Sequence, residues 1–365
     1  MKFLRVLFVC VASAVSALAQ ASDSLPEKAA TIALLERAAD WQLAHPAKHA
    51  TTDWTQAAFY DGVMALSGVS ESPRFLNAML KVGETNQWKL GPRLYHADDH
   101  AVGQMYAEMY LLKHDQKMIA PMQESFDSIL AKPKEDNLSF TAKNNPLFQQ
   151  TWSWCDALFM SPPAWVRLWK ATGKEAYLNF AVEKWWVTST YLYDKDEHLY
   201  YRDDTYFKRR EANGKKMFWS RGNGWVMGGL VRILQYLPKD HAARPRFVQQ
   251  YQEMAEKLIT LQQPDGLWHS SLLDPANYPI KETSGSGFYT YALAWGVNEG
   301  LLDEAKFKPG ILRAWQGLVS CVDAEGKLTH VQPIGADPKK FPEDSTEVYG
   351  VGAFLLAGTE VLRLK

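Results

Sequence analysis

Cysteine is scarce in this chain: of 365 residues three are Cys, and only Cys155 and Cys321 lie beyond the first 21. A disulfide framework is therefore not what holds the fold, and the two remaining sulfurs read as buried thiols. An excess of either charge is missing too, since 40 Lys and Arg face 41 Asp and Glu for a formal net charge of −1. With no basic run outside the first residues, nucleic acid is not an expected partner. No Ser/Gly-rich linker, charge block or low-complexity stretch divides residues 22–365, which read as a single domain.

The one sustained apolar run opens the chain. MKFLRVLFVCVASAVSALAQ has Lys2 and Arg5, then the run, then Ala17-Leu18-Ala19, the layout of a cleavable export signal over residues 1–21. The run is shorter than the roughly 20 apolar residues a spanning helix needs. The expectation is an exported protein, periplasmic or secreted, without stable membrane insertion. Cys10 follows Val9 rather than a small residue, which argues against a lipoprotein signal. Several chemistries lack their motifs: there is no HExxH or clustered metal spacing among the nine His, no GxSxG and no GxxxxGK[ST]. Neither a metal nor another cofactor is expected, and no obligate protein partner is indicated.

What the chain has in quantity is aromatic residues, with 14 Trp and 16 Tyr. Flat rings suit pyranose faces, although most such residues serve ordinary cores. Beyond the first segment the sequence reads as helices broken by Pro, Gly, Asn and Asp, with no sustained period-two alternation. The helices are of two kinds. One is amphipathic, over 27–44 (Leu34, Ala38 and Trp41 at helical spacing), 73–88, 115–131, 174–191, 242–262 and 304–320. The other has a polar start and is then small or apolar nearly all round, over 54–67, 98–113, 156–171, 221–236, 283–300 and 346–363. A helix apolar on all sides is one buried on all sides.

Taken from Trp54, Asp98, Asp156, Arg221, Glu282 and Glu347, the starts of the second kind are 44, 58, 65, 61 and 65 residues apart. A unit recurring six times predicts six inner helices within six outer ones, an all-α (α/α)6 barrel. An open α-solenoid is the alternative. The barrel is preferred because the polar residues fall at the same end of every inner helix and would gather at one mouth.

That mouth would bring together Asp98, Asp99, His100, Asp156, Arg221, Asn223, Glu282 and Glu347, flanked by Trp54, Trp152, Trp154, Trp219 and Trp225. Carboxylates supply general acid and base, arginine clamps a carboxylate, and indole faces stack on sugar rings. Each acid could equally be a helix cap. Asp156 stands out, because TWSWCDALFMSPPAW surrounds one carboxyl with apolar side chains, and desolvation raises a carboxyl's pKa towards neutrality. Pro162 and Pro163 imply a kink or a broken first turn just after it. Asp98 and Asp99 point about 100° apart on a helix, so one faces the cavity and the other caps. For Glu282, in KETSGSG, cap and ligand remain equally open.

Five segments carry a family resemblance: YHADDHAVGQ (95–104), WCDALFMSPPAW (154–165), FWSRGNGWVMGGL (218–230), ETSGSGFYTYALAWGVNEGLL (282–302) and DSTEVYGVGAFLLAGTEV (344–361). Together they resemble the unsaturated rhamnogalacturonyl hydrolases of glycoside hydrolase family 105, related to the unsaturated glucuronyl hydrolases. The resemblance implies an (α/α)6 barrel that removes the unsaturated uronic acid a polysaccharide lyase leaves at a non-reducing end. It implies hydration of the C4=C5 double bond, with Asp156 as proton donor and water activator and Asp98 as the second site aspartate. Arg221, Trp225 and Trp219 match the element placed near the uronate. Where some members place a site His before that element, this chain reads LYYRDDTYF, with Arg202, Asp203 and Asp204; whether Arg202 replaces that His is left open, and with it the leaving sugar, between pectin, glycosaminoglycan and ulvan types. An inverting glycosidase, a uronate lyase, an epimerase or a non-catalytic sugar binder on the same barrel are the other readings.

Overall fold

A computed structural model of the protein describes residues 25–365, so the expected signal segment and Cys10 lie outside the described residues. Fourteen α-helices are present among the described residues. The inner set comprises α2 (Trp54–Ser67), α4 (Ala97–His100) with α5 (Gly103–Lys113), α7 (Ala157–Met160) with α8 (Pro162–Thr172), α10 (Ser220–Leu234), α12 (Thr283–Asn298) and α14 (Val348–Val361). The outer set is α1 (Lys28–Ala44), α3 (Arg74–Thr85), α6 (Ala120–Ala131), α9 (Glu175–Leu192), α11 (Arg244–Ile259) and α13 (Glu304–Val319). A two-stranded antiparallel hairpin, β1 (Tyr193–Asp194) and β2 (Leu199–Tyr200), follows α9.

The inner helices pack in chain order, and the last of them, α14, packs against the first, α2. That contact closes the ring and decides for the (α/α)6 barrel over the open solenoid. Its close approach rests on glycine: a Cβ on Gly352 would sit 2.1 Å from the Ala58 carbonyl oxygen, and one on Gly62 would sit 2.6 Å from that of Gly352. Neither separation admits a side chain, so it is glycine at these positions that lets the two backbones touch. Every residue of α10 and α14 is buried, as expected of helices apolar on all sides.

Two inner helices differ from the continuous spans expected. The 156–171 span breaks at Ser161, where Pro162 opens α8; a proline at the first helical position loses no hydrogen bond. The 98–113 span breaks at Ala101-Val102, which the sequence did not signal. Its first turn is held from outside the helix, because Asp99 and His100 both bond back to residues 93–94. Both breaks fall just after an aspartate, so Asp98 and Asp156 sit on short turns instead of long rods. Cys155 and Cys321 are free and buried, as read from the sequence.

Candidate active site

Asp156 heads α7 at the mouth of the ring. From Thr151 to Leu168 every other residue is buried, while the Asp156 side chain keeps 13% of its surface exposed. Asp98 repeats the pattern: alone between His96 and Ala107 in facing solvent apart from the backbone around it, it keeps 20%. Two carboxyls thus look out from apolar surroundings into the same region.

The neighbours of Asp156 are set by backbone pairing. The amide of Asn223 on α10 accepts from the Tyr200 N–H at 2.7 Å and donates to the Tyr200 carbonyl at 3.0 Å, pinning β2 to the barrel. Two residues on, the Arg202 carbonyl accepts the Cys155 N–H at 2.8 Å. Arg202 is thereby held with Nε 3.7 Å from Asp156 Oδ2 and Nη1 2.7 Å from Asp203 Oδ2, its guanidinium 4.2 Å over the Phe140 ring. The Cys155 thiol donates to Asp156 Oδ2 at 3.4 Å.

Electrostatics follow from this geometry. Burial pushes the Asp156 carboxyl above its ordinary range, opposed by the Arg202 charge and the thiol. Burial and then the Asp156 charge push Asp98 up to about 7. Two neighbouring carboxyls resist ionising together, and burial favours the protonated form of each, partly offset on Asp156 by Arg202. A carboxyl raised in this way is suited to donate a proton and then take one back from water.

Other residues singled out from the sequence have different tasks. Asp99 accepts from the Arg93 backbone N–H at 2.6 Å and from its guanidinium at 2.5 and 3.0 Å, so Asp98 is the acid that faces the cavity. His100, expected to bind substrate, has both ring nitrogens engaged, Nδ1 with Ser161 Oγ at 2.7 Å and Nε2 with the Leu94 carbonyl at 2.8 Å; burial pushes it down to about 4. Glu282, expected as a ligand or a cap, is the cap of α12: it accepts from the N–H groups of Ser284 at 3.0 Å and Gly285 at 2.7 Å and is fully buried.

Arg221 is also fully buried. Its guanidinium donates to the carbonyls of Gln332 at 2.6 Å and Pro333 at 3.0 Å, and stands 4.5 Å over the Trp219 ring. Trp219 donates Nε1 to Gln332 Oε1 at 2.9 Å. These two residues, expected at the uronate, are buried and spend their donors on the 332–333 loop. Trp225 is enclosed by Phe159, Phe288 and Tyr349 without exposed surface. Trp154 is buried beside His96 and Phe140. Of the expected tryptophans only Trp54 keeps a partly open face, stacked on Tyr349 at 5.3 Å.

Sequence reasoning missed several contributors. Gln332 gathers Trp219, Arg221 and the Tyr349 hydroxyl, yet lies in a loop more than 100 residues from Arg221, with no motif to mark it. His96 caps Asp98 N–H at 3.3 Å and lies 3.8 Å from its carboxylate. Burial pushes His96 down to about 4, so it is neutral and leaves Arg93 as the cation that opposes the rise of Asp98. Cys155 was readable only as an apolar neighbour of Asp156.

A closed ring of helix pairs with paired acids at one mouth defines a carbohydrate-active barrel enzyme. Residues 28–365 match the model of Glycosyl Hydrolase Family 88, and the chain belongs to that family. The resemblance read from the five motifs holds. The chain is 38% identical to an unsaturated 3S-rhamnoglycuronyl hydrolase of Formosa agariphila, over 99% of this chain and 98% of that relative. It is 35% identical to an unsaturated 3S-rhamnoglycuronyl hydrolase of an Alteromonas species, over 90% of this chain and 84% of the relative. Among solved structures, one described as a polysaccharide lyase is 31% identical and covers 92% of this chain and 97% of its own, with a TM-score of 0.83.

Proposed function

We propose that the protein removes the terminal 4,5-unsaturated uronic acid from oligosaccharides left by polysaccharide lyases, by adding water across the C4=C5 bond. The observation that carries this reading is the Asp98–Asp156 pair, two carboxyls pushed up by burial at one mouth of the ring, with Arg202 Nε 3.7 Å from Asp156. Asp156 protonates C4, a water gives its proton back to Asp156 as its oxygen bonds to C5, and the hemiketal so formed opens to release the neighbouring sugar. The acid is regenerated and one water is consumed. Arg202 is placed to take the substrate carboxylate. The names of the two relatives support a rhamnose as the leaving sugar, so fragments of a rhamnoglycuronan such as ulvan are the first substrates to try, followed by rhamnogalacturonan fragments from pectin. The Lys2-to-Ala19 segment supports an exported enzyme.

A second reading, cleavage as a lyase, is favoured by the description of the 31% identical structure. The two have opposite signatures. A hydrolase of this kind consumes the conjugated double bond, so ultraviolet absorbance of lyase-digested ulvan falls with time. A lyase acting on intact polymer creates the double bond, so absorbance rises. A rise on polymer with no fall on the digest would replace the hydration reading.

Arg202 gives a prediction with a definite sign. Its charge opposes the upward shift of Asp156, so Arg202→Gln raises the Asp156 carboxyl further and keeps it protonated to higher pH. The alkaline limb of kcat/KM against pH is expected to move upward. KM is expected to rise about 10- to 100-fold, matching the ~1.5–3 kcal/mol of a charged hydrogen bond to the uronate. A limb that moves down, or stays with KM unchanged, removes Arg202 from both tasks.

A further inference from the structure

On the outer wall, between α9, α11 and the β1–β2 hairpin, lies a groove of about 410 Å3 lined by Trp186, Lys195, His198, Arg246, Gln249 and Glu253 among others. Its charges do not balance. Glu253 is engaged by the Tyr193 hydroxyl at 2.9 Å and the Gln249 amide at 2.9 Å, and lies 3.6 Å from His198 Nδ1. In the hairpin turn Asp194 pairs with Lys216 at 2.6 Å and Glu197 with Lys257 at 2.7 Å, while the exposed Asp196 lies 3.6 Å from the same Lys216. Two exposed cations remain, Lys195 and Arg246, and neither forms an ion pair among the described residues.

Arg246 is not loose. Its guanidinium lies 3.7 Å over the Trp186 ring. Stacking on an indole leaves the edge N–H groups of a guanidinium pointing outward, the arrangement that accepts a carboxylate or sulfate in bidentate fashion. Beneath it the Trp186 Nε1 donor has no hydrogen-bond partner. A groove that offers two exposed, unpaired cations against one hydrogen-bonded acid, Glu253, fits an anion carrying several acceptor oxygens.

We propose that this groove is a second, non-catalytic saccharide site that holds a carboxylated or sulfated polysaccharide chain. The hairpin links it to the mouth: the Tyr200 hydroxyl bonds Ser189 of the groove at 2.5 Å, and Arg202, two residues further, reaches Asp156. Tethering polymer there raises the local concentration of chain ends near the catalytic pair without any new contact to them. The site does not depend on which sugar leaves.

Native electrophoresis of the full chain in gels containing ulvan, polygalacturonate or a neutral polysaccharide tests it. One or both acidic polymers should retard the protein and the neutral one should not; which acidic polymer acts tells sulfate from carboxylate recognition. Lys195→Gln with Arg246→Gln should raise the apparent Kd about tenfold, the order expected for two exposed charge contacts, with turnover of an unsaturated disaccharide kept within twofold. Lys28→Gln with Lys81→Gln, on α1 and α3, should leave retardation unchanged. The proposal is overturned if neither acidic polymer retards the protein, if the groove variant runs like the parent, or if the control pair loses as much. Disaccharide turnover separately reports the reaction proposed above.

Discussion

Replacing Asp156 with asparagine should lower kcat on the unsaturated substrate by about 10²–10⁴-fold, the range in which a positioned general acid or base acts. KM should change little, because asparagine keeps the size of the side chain and Arg202 stays held by Asp203 and Phe140. The substitution should also not weaken the fold. Burial raises the Asp156 carboxyl in the folded protein above its unfolded value. A group of this kind gives its full contribution at pH below the unfolded value, and the folded state loses it as pH rises towards the folded one. Asparagine removes that loss, so the melting temperature of the variant relative to the parent should be more favourable at pH 8 than at pH 4. Kinetics on the disaccharide and thermal unfolding at both pH values check the two halves. Near-parental kcat would move the proton transfers to Asp98, and the Asp98→Asn variant would then carry the loss.

The architecture was legible because burial in this barrel repeats along the chain. Helices that are apolar all round can be told from amphipathic ones by eye, and the spacing of their polar starts gives the sixfold unit. The ring's closure was not in that pattern. It rests on Gly62 and Gly352, 290 positions apart, whose meaning appears only when two backbones are seen touching. The acids were legible in the same partial way. Asp156 announced itself through its apolar flanks, but the sequence alone could not decide between Asp98 and Asp99, a choice made by Arg93. Nor could it show that Glu282 spends its oxygens on the start of its own helix. Polar starts in register mark a mouth, but each one serves either the mouth or the helix, and partners distant in sequence decide which. Arg221 and Trp219 illustrate this, since their acceptors come from a loop around Gln332 that carries no signature of its own.

The second large effect is expected at the opposite end of the ring, in Arg232→Met. Arg232 Nη2 lies 2.9 Å from Asp61 Oδ1 and 2.8 Å from Glu108 Oε1, while its Nε donates to Gln104 Oε1 at 2.5 Å. Arg167 adds Nε to Glu108 at 2.6 Å and Nη1 to the Arg232 carbonyl at 2.9 Å. Four inner helices, α2, α5, α8 and α10, meet in this buried cluster. Removing one partner leaves carboxylates out of water with too little compensation, which costs about 3–5 kcal/mol. The loss should depend on pH in a set direction. Burial holds Asp61 up to about 7 in the folded protein, against the pull of Arg232, whereas unfolded aspartate ionises near ~3.9. The parent's stability from this group is therefore full below the unfolded value and declines as pH climbs to about 7. Without Arg232 the folded carboxyl rises further, so the decline continues into the alkaline range and the gap between variant and parent widens from pH 6 to pH 9. Urea unfolding at both values measures the gap. A loss below ~1 kcal/mol, or one that narrows as pH rises, would mean that packing around Arg232 holds these helices together and its charge does not.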